Sequence, residues 1–354
     1  METINKIQQL ILERGYEGNF SDLGEIYTKT TKINGKGLVL FNYTPKAMYK
    51  NEWNDFERVC RGIIFDELGS VVARPFLKFF NLNQLGYDKN YILDRGIESI
   101  TVKLDGSLGI VFYFEGGWRA VTHGSFNSEQ ATKAEEMLEV YDLSLLNKDF
   151  TYMVEIIYPE NRIVLDYKGY KGLVMLAAIH TATGEELKRK TLSALCSEMN
   201  FRIVDLEHFS WNELLYLVDN IKDVEGWVIL INNGERVKLK TEHYKELHKL
   251  VSNITPRNVF EAYCAGNVEE YISALPDEFQ IECKELVEGF NASYLELKSK
   301  YEGIYLSILI EMYEPSRRAY AELANKYKHP QILFALLDGK DISKLIQGII
   351  HDSL

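Results

Sequence analysis

"TVKLDGSLGIVF", residues 101–112, sets Lys103 and Asp105 on either side of one leucine, follows them with Gly106 and Ser107, and flanks the turn with apolar runs. The Val, Ile and Phe content predicts two strands, and Asp-Gly-Ser between strands is a common tight turn. Lys103 is then either a surface lysine beside a turn or a nucleophile. A Lys-x-Asp-Gly string alone does not decide, since chance supplies one in roughly every tenth chain of this length.

The surroundings extend the β reading. From about residue 36 to 245 the chain runs as short strands broken by turns: "KGLVLFNY", "RGIIFDELGSVVARPF", "YMVEIIYP", "GLVMLAAIH" and "GWVILINNGERVKLK". Asn233-Gly234 predicts a hairpin turn built on positive φ angles. Helices are expected near 128–140, 191–199 and 210–220, the last opened by Ser210 and Glu213 at capping-box spacing. At the start, Ile4, Ile7, Leu10 and Ile11 mark one face of a helix. Beyond about 245 the apolar residues recur at three and four. Thr255 and Pro256 open a helix that Gly266 closes, residues 278–313 could form one long helix, and three shorter ones follow. The expectation is an α+β domain at 1–245, of antiparallel sheets with flanking helices, and an all-α domain at 246–354.

Composition narrows the class. With 46% hydrophobic residues the chain is no disordered tail. It shows neither the order of a signal peptide nor an apolar run of membrane-spanning length, which predicts a cytosolic protein. Cys60, Cys196, Cys264 and Cys283 lack zinc or disulfide spacing and are expected to be small buried hydrophobes. A net charge of −12 argues against nonspecific polyanion binding, while leaving room for a local basic channel. There is no G-x-x-x-x-G-K-[ST] loop and no H-E-x-x-H.

What raises Lys103 above a turn lysine is ordered company. Upstream lie "RGIIF" with Arg61 and "RPFLKFFNLN" with Lys78. Downstream lie "GSFNSEQA", Glu155 before "NRIVLDY", Glu225 in "VEGWVIL", and "KLKTEHY" with Lys238, Lys240 and Tyr244. In this order the segments resemble the covalent nucleotidyltransferases, the superfamily of ATP-dependent ligases and mRNA capping enzymes, and most closely the phage RNA ligase 1 family of tRNA-repair ligases. The resemblance covers about residues 30–250 strongly and the tail loosely. It implies a nucleotidyltransferase (ATP-grasp-like ligase) fold and an ATP-dependent RNA ligase that works through a lysyl-AMP.

To attack the α-phosphate of ATP a lysine must be neutral, whereas a free lysine is protonated at pH 7. Lys238 and Lys240 alternate on a strand and could share a face, binding phosphates and discouraging protonation of Lys103. Mg²⁺, or Mn²⁺ in its place, would add to this. By resemblance, Lys103 is the adenylated residue, Gly106 leaves space beside the ribose and Asp105 turns at the pocket edge. Arg61 and Lys78 contact ribose and phosphates, and Glu155 holds the ribose or a metal. Glu225 is a metal ligand or lysine partner, Lys238 and Lys240 bind the α-phosphate and pyrophosphate, and Tyr244 serves the ligation steps. The aromatic beside the nucleotide is Phe41 or Tyr43.

Two positions depart from the family pattern. His123 stands where a lysine is common, a weaker and pH-dependent cation. Glu269-Glu270 stands where a paired acid helps to hold a hydrated metal, and adjacent glutamates on a helix are ordinarily just solvated. The resemblance further implies an RNA partner, a tRNA cut in its anticodon loop and healed by a polynucleotide kinase-phosphatase, in a phage-infected bacterial cell. The rivals are a duplex-nick-sealing RNA ligase, a DNA ligase or capping-type enzyme, and a noncatalytic RNA-binding module. A DNA ligase or capping enzyme would follow the Lys-x-Lys strand with an OB barrel of short strands, where this chain reads as helix.

Overall fold

A computed structural model describes residues 2–251, 253–275, 277–312 and 316–354. The chain forms two compact units, Met1–Val251 and Ser252–Leu354. In chain order the first unit contains α1 (Glu2–Arg14), β1 (Ile26–Ile33), β2 (Lys36–Tyr43), α2 (Pro45–Lys50), α3 (Asp55–Val59), β3 (Arg61–Asp66), β4 (Val71–Ala73), β5 (Phe80–Asn81) and α4 (Lys89–Arg95). Next come β6 (Ile97–Lys103), β7 (Ser107–Phe114), β8 (Gly117–Thr122), α5 (Glu129–Leu138), β9 (Phe150–Ile157), β10 (Gly172–His180) and α6 (Arg189–Glu198). The unit ends with β11 (Leu206–Glu207), α7 (Trp211–Asn220), β12 (Gly226–Ile231), β13 (Arg236–Lys240) and α8 (Glu242–Val251).

The strands make three sheets, ordered β1-β2-β3-β4, β10-β9-β7-β8 and β11-β6-β12-β13-β5. The pairings are antiparallel except β13 with β5. The run "GLVLF" of β2 is buried throughout because both faces of its sheet are covered, which is why it reads as continuous rather than alternating. Val39 and Phe41 pack with Ile7, Leu10 and Ile11 of α1. Leu38 and Leu40 pack with Ile110, Phe112 and Val121 of the second sheet. That sheet's other face sets Val154 and Ile156 against Ala134, Leu192 and Cys196 of α5 and α6. The third sheet turns Trp227, Ile229, Val237 and Leu239 toward Ile92, Trp211 and Leu214 of α4 and α7. Side chains alternate along a strand, so Lys103, Lys238 and Lys240 occupy the opposite face.

The second unit is α-helical among its described residues: α9 (Pro256–Ala265), α10 (Val268–Ala274), α11 (Asp277–Glu311), α12 (Arg317–Ala324), α13 (Pro330–Leu337) and α14 (Ser343–His351). Thr255 accepts a hydrogen bond from the Asn258 N–H, Pro256 sits at the first position, and Gly266 closes α9 at φ 76°. The long helix runs over 35 residues. Tyr313 and Pro315, in the expected helices, lie outside the described residues. Among those described, no helix is long and apolar enough to cross a membrane.

Two expectations need correction. At the β12–β13 hairpin only Gly234 takes a positive φ, 85°. The Asn233 side chain instead accepts from the Glu235 N–H, 3.1 Å, and the Gly234 N–H bonds Ile231 O, 2.8 Å, as in a longer turn closed by a left-handed glycine. Cys60, Cys196 and Cys283 are buried, but Cys264 is exposed on α9.

Candidate active site

Pairing on both edges of β12 sets Lys103, Gly226 and Lys240 in one row across three strands. Gly226 is required there. Its φ is 149°, and a Cβ would fall 2.0 Å from Leu239 O, so only glycine lets the chain pass this close. The close passage places Glu225, 2% exposed, at the end of the row. Its Oε1 lies 2.8 Å from Lys103 Nζ and 3.3 Å from Lys240 Nζ. Its Oε2 is buried and has no hydrogen-bond partner among the described residues.

The β6–β7 turn is fastened on two sides. Gly106 N–H donates to Glu155 Oε1, 3.0 Å, and a Cβ on Gly106 would stand 2.7 Å from Ile156 O. Asp105, 3% exposed, lines a small cavity with Tyr158, Arg162 and Tyr167. Its Oδ2 accepts from the N–H groups of Val164 and Leu165, 2.8 and 2.7 Å, and its Oδ1 accepts from the Tyr244 hydroxyl, 2.7 Å. The Asp105 N–H donates to the Tyr167 hydroxyl, 2.7 Å. Asp105 and Tyr244 are thus each other's partners, tying the turn to the 157–170 loop and to α8.

The electrostatics around Lys103 reverse the expectation. Burial acts to lower its pKa, but the carboxylates of Glu225 and Glu155, with Asp105 behind them, outweigh burial and hold it above the ordinary lysine value. Lys240, expected to discourage protonation, shares the same acidic partner. Burial pushes Glu155 up to about 8, with Glu225 adding to the rise and Lys103 opposing it. This end of the site is an ammonium held among carboxyl groups.

The other end is built on rings. The Arg61 guanidinium lies 5.0 Å from the Phe79 ring centre and Lys238 Nζ 5.3 Å from the same ring. Lys78 Nζ sits 5.3, 5.0 and 5.5 Å from Tyr43, Trp53 and Phe80, within cation–π range. His123 is beside them, 6.5 Å from the Tyr43 ring. Burial lowers its pKa to about 4, and Arg61, Lys78 and Lys238 push the same way, so the imidazole is neutral at pH 7. Arg61 Nη1 is buried with no hydrogen-bond partner among the described residues.

Lys103, Gly106, Glu155, Glu225 and Lys240 therefore come together at one end, and Arg61, Lys78 and Lys238 at the other. Phe41 belongs to neither. It is fully buried in the α1-side core, edge-on to Phe20 and Phe65 at 4.9 and 5.5 Å. A register shift between Phe41 and Asn42 separates it from Tyr43, and Tyr43 reaches the site. Glu269 is exposed in the first turn of α10, in the second unit. Among the described residues no three His, Cys, Asp or Glu side chains form a metal-holding group. The residues overlooked in the sequence are Trp53, Phe79 and Phe80; for the two phenylalanines the available signal was their place directly after Lys78 in "RPFLKFF".

A family model described as RNA ligase matches residues 59–244. A putative RNA ligase of Thermovibrio ammonificans is 27% identical over 71% of this chain and 69% of its own length. An RNA ligase of a Rhodothermus phage is 23% identical over 81% and 82%. Among solved structures, an archaeal ATP-dependent RNA ligase superposes with a TM-score of 0.50 at 16% identity, over 91% of this chain and 94% of that one. That likeness carries the fold.

Proposed function

This chain belongs to the RNA ligase family, and from that premise we propose that it seals RNA 3′-hydroxyl and 5′-phosphate ends by way of an AMP carried on Lys103. The observation that supports this most directly is the single oxygen of Glu225 bridging Lys103 and Lys240 at the end of one strand row. A lysine poised this way, beside a turn only glycine can make, suits a nucleophile better than a surface charge.

In the first step Lys103 Nζ attacks the α-phosphorus of ATP. A P–N bond forms, the bond from the α-phosphorus to the bridging oxygen breaks, and pyrophosphate leaves with that electron pair. The ammonium must first lose a proton, and Glu225 Oε1 at 2.8 Å is the acceptor within reach. Lys240 moves from its shared carboxylate toward the α-phosphate as charge gathers there. Arg61, Lys78 and Lys238 hold the outer phosphates and ribose, with Tyr43 beside the nucleotide. Glu155 orients the turn through Gly106 and reaches the ribose. AMP then passes from Lys103 to the RNA 5′-phosphate, and the 3′-hydroxyl displaces it.

Mg²⁺, or Mn²⁺, fits at Glu225, whose Oε2 is buried without a partner; a hard cation takes one or two carboxylates and completes its shell with water and phosphate oxygens. Bound there it would neutralise phosphate charge and favour the uncharged amine. We further propose that the natural substrate is tRNA broken in its anticodon loop, prepared by a kinase-phosphatase, and that the helical second unit recognises it. Its described residues show no OB barrel, which disfavours the DNA ligase and capping readings.

Incubation with α-labelled ATP and Mg²⁺ tests the chemistry. The expected outcome is covalent label on the wild-type chain and none on Lys103→Ala; label retained by that variant overturns the site. GTP in place of ATP tests the capping reading. Sealing a nicked anticodon stem-loop faster than a nicked duplex supports the tRNA assignment, and the opposite order replaces it with duplex-nick sealing.

A further inference from the structure

Away from the nucleotide site, the edges of two sheets leave a groove of about 580 Å³. One wall is β1, the outer strand of the first sheet, and the other includes β8, the outer strand of the second. Lys29 and Arg119 bring two cations to it, with Thr31, Phe126 and Glu135 among the other lining residues; Lys32 also borders it, but alternation along β1 sends its side chain to the opposite face, toward Tyr16. In a chain of net charge −12 this is a local reversal of sign. Glu135 is engaged in part, accepting from the Ala120 N–H, 3.3 Å. Arg119 faces the first sheet from β8 and has a buried Nε with no hydrogen-bond partner among the described residues, a donor left without an acceptor.

The strand that walls the groove runs toward the site already described. Alternation along β1 puts Tyr27, Lys29, Thr31 and Ile33 on the face toward the second sheet, where Ile33 joins the core shared by both sheets. Tyr27 pairs across the ladder with Asn42, which pairs in turn with Arg61. The Asn42 amide donates to the Tyr27 hydroxyl, 3.0 Å, and a Cβ on Gly124, next to His123, would meet that hydroxyl at 3.0 Å. From Tyr27 to Ile33 the strand covers about 20 Å, which sets the span an extended chain would cross between the Arg61 end and the far end of the groove.

We propose that this groove between β1 and β8 binds the single-stranded RNA that leads to the end being joined. The proposal rests on the RNA ligase reading and adds the path of the substrate. Lys29 and Arg119 meet phosphates, the threonine hydroxyl and the free strand edge meet ribose hydroxyls, and Phe126 offers a ring for a base. Lys29 would otherwise serve only to keep an exposed edge from pairing with another chain.

The test compares wild type with Lys29→Glu, at an exposed position, and with Arg119→Gln. Two readouts are needed: covalent labelling by ATP, and anisotropy of a labelled single-stranded 12-mer RNA across a salt series. Lys29→Glu is expected to label as wild type, to bind RNA about threefold more weakly, and to show a log–log salt slope shallower by about 0.7. Unchanged RNA affinity and slope would overturn the proposal, leaving Lys29 as edge protection. Loss of labelling together with RNA binding in both variants would also overturn it, since the residues would then support the fold. A wild-type chain that takes no label refutes the adenylation chemistry and leaves the groove comparison to be decided by binding alone.

Discussion

The two ends of the site set their cations in different surroundings. At the Lys103 end one buried carboxylate bridges two ammonium groups, and further carboxyl groups keep Lys103 protonated. At the Arg61 end the cations rest on the faces of Phe79, Tyr43, Trp53 and Phe80, and three of them converge on one imidazole. Ring faces position a cation without neutralising it, and Arg61 Nη1 is buried with no hydrogen-bond partner among the described residues. Under the proposed function the Arg61 end receives phosphate, and Lys103 stays an ammonium until phosphate arrives.

The largest test of this contrast is Glu225→Ala. Removing the bridge leaves two buried ammonium groups without their shared acceptor, a loss worth about 3 kcal/mol of stability by analogy with other broken buried pairs. AMP uptake is expected to fall by at least about a hundredfold. Glu225→Gln keeps the shape and removes the charge, so Lys103 loses its proton more readily and the pH–rate profile for AMP uptake shifts to lower pH. If Glu225→Ala labelled as fast as wild type, the distinction between the two ends would fail.

At the other end the corresponding test is thermodynamic. His123 has a folded pKa of about 4 against an unfolded value near 6.5. Between these values the unfolded chain binds the additional proton, so the stability this residue contributes is intact above about pH 6.5 and is lost as pH falls toward 4, by on the order of 3 kcal/mol. Denaturant melts of the nucleotide-free protein should show that loss, and His123→Asn should flatten it. A wild-type curve no steeper than the variant's would mean that the three cations do not converge on this imidazole.

What was legible in the sequence follows the same division. Patterns governed by local physics could be read: strand periodicity, the Thr255–Pro256–Gly266 helix signals and the Ser210–Glu213 capping box all appear as expected. Short capped helices such as α3, opened by the Asn54–Glu57 capping box, were missed because five residues show too little periodicity to stand out. At the site, the charged residues were identifiable from their order, but their pairing was not. Lys240 and Lys238 are neighbours on one strand face, yet one joins Glu225 and the other joins Phe79. That division depends on which strands lie alongside, and no spacing within "KLK" encodes it. The aromatic supports were hidden for a related reason, since a phenylalanine beneath a cation and one inside a core look alike in sequence.

The smallest predicted effect concerns the anchor between α8 and the turn. Tyr244→Phe removes the hydroxyl that donates to Asp105 Oδ1 while keeping the ring beneath Lys240, 5.2 Å away. Asp105 retains two backbone N–H donors on its other oxygen, so the turn persists and the cost should be about 1 kcal/mol in a denaturant melt. Tyr244→Ala also removes the ring and opens a cavity in a position 2% exposed, which should cost about 3 kcal/mol or more. If the two substitutions were equally costly, the hydroxyl and not the ring would secure α8, and the Lys240 end would depend on that hydrogen bond more than on packing.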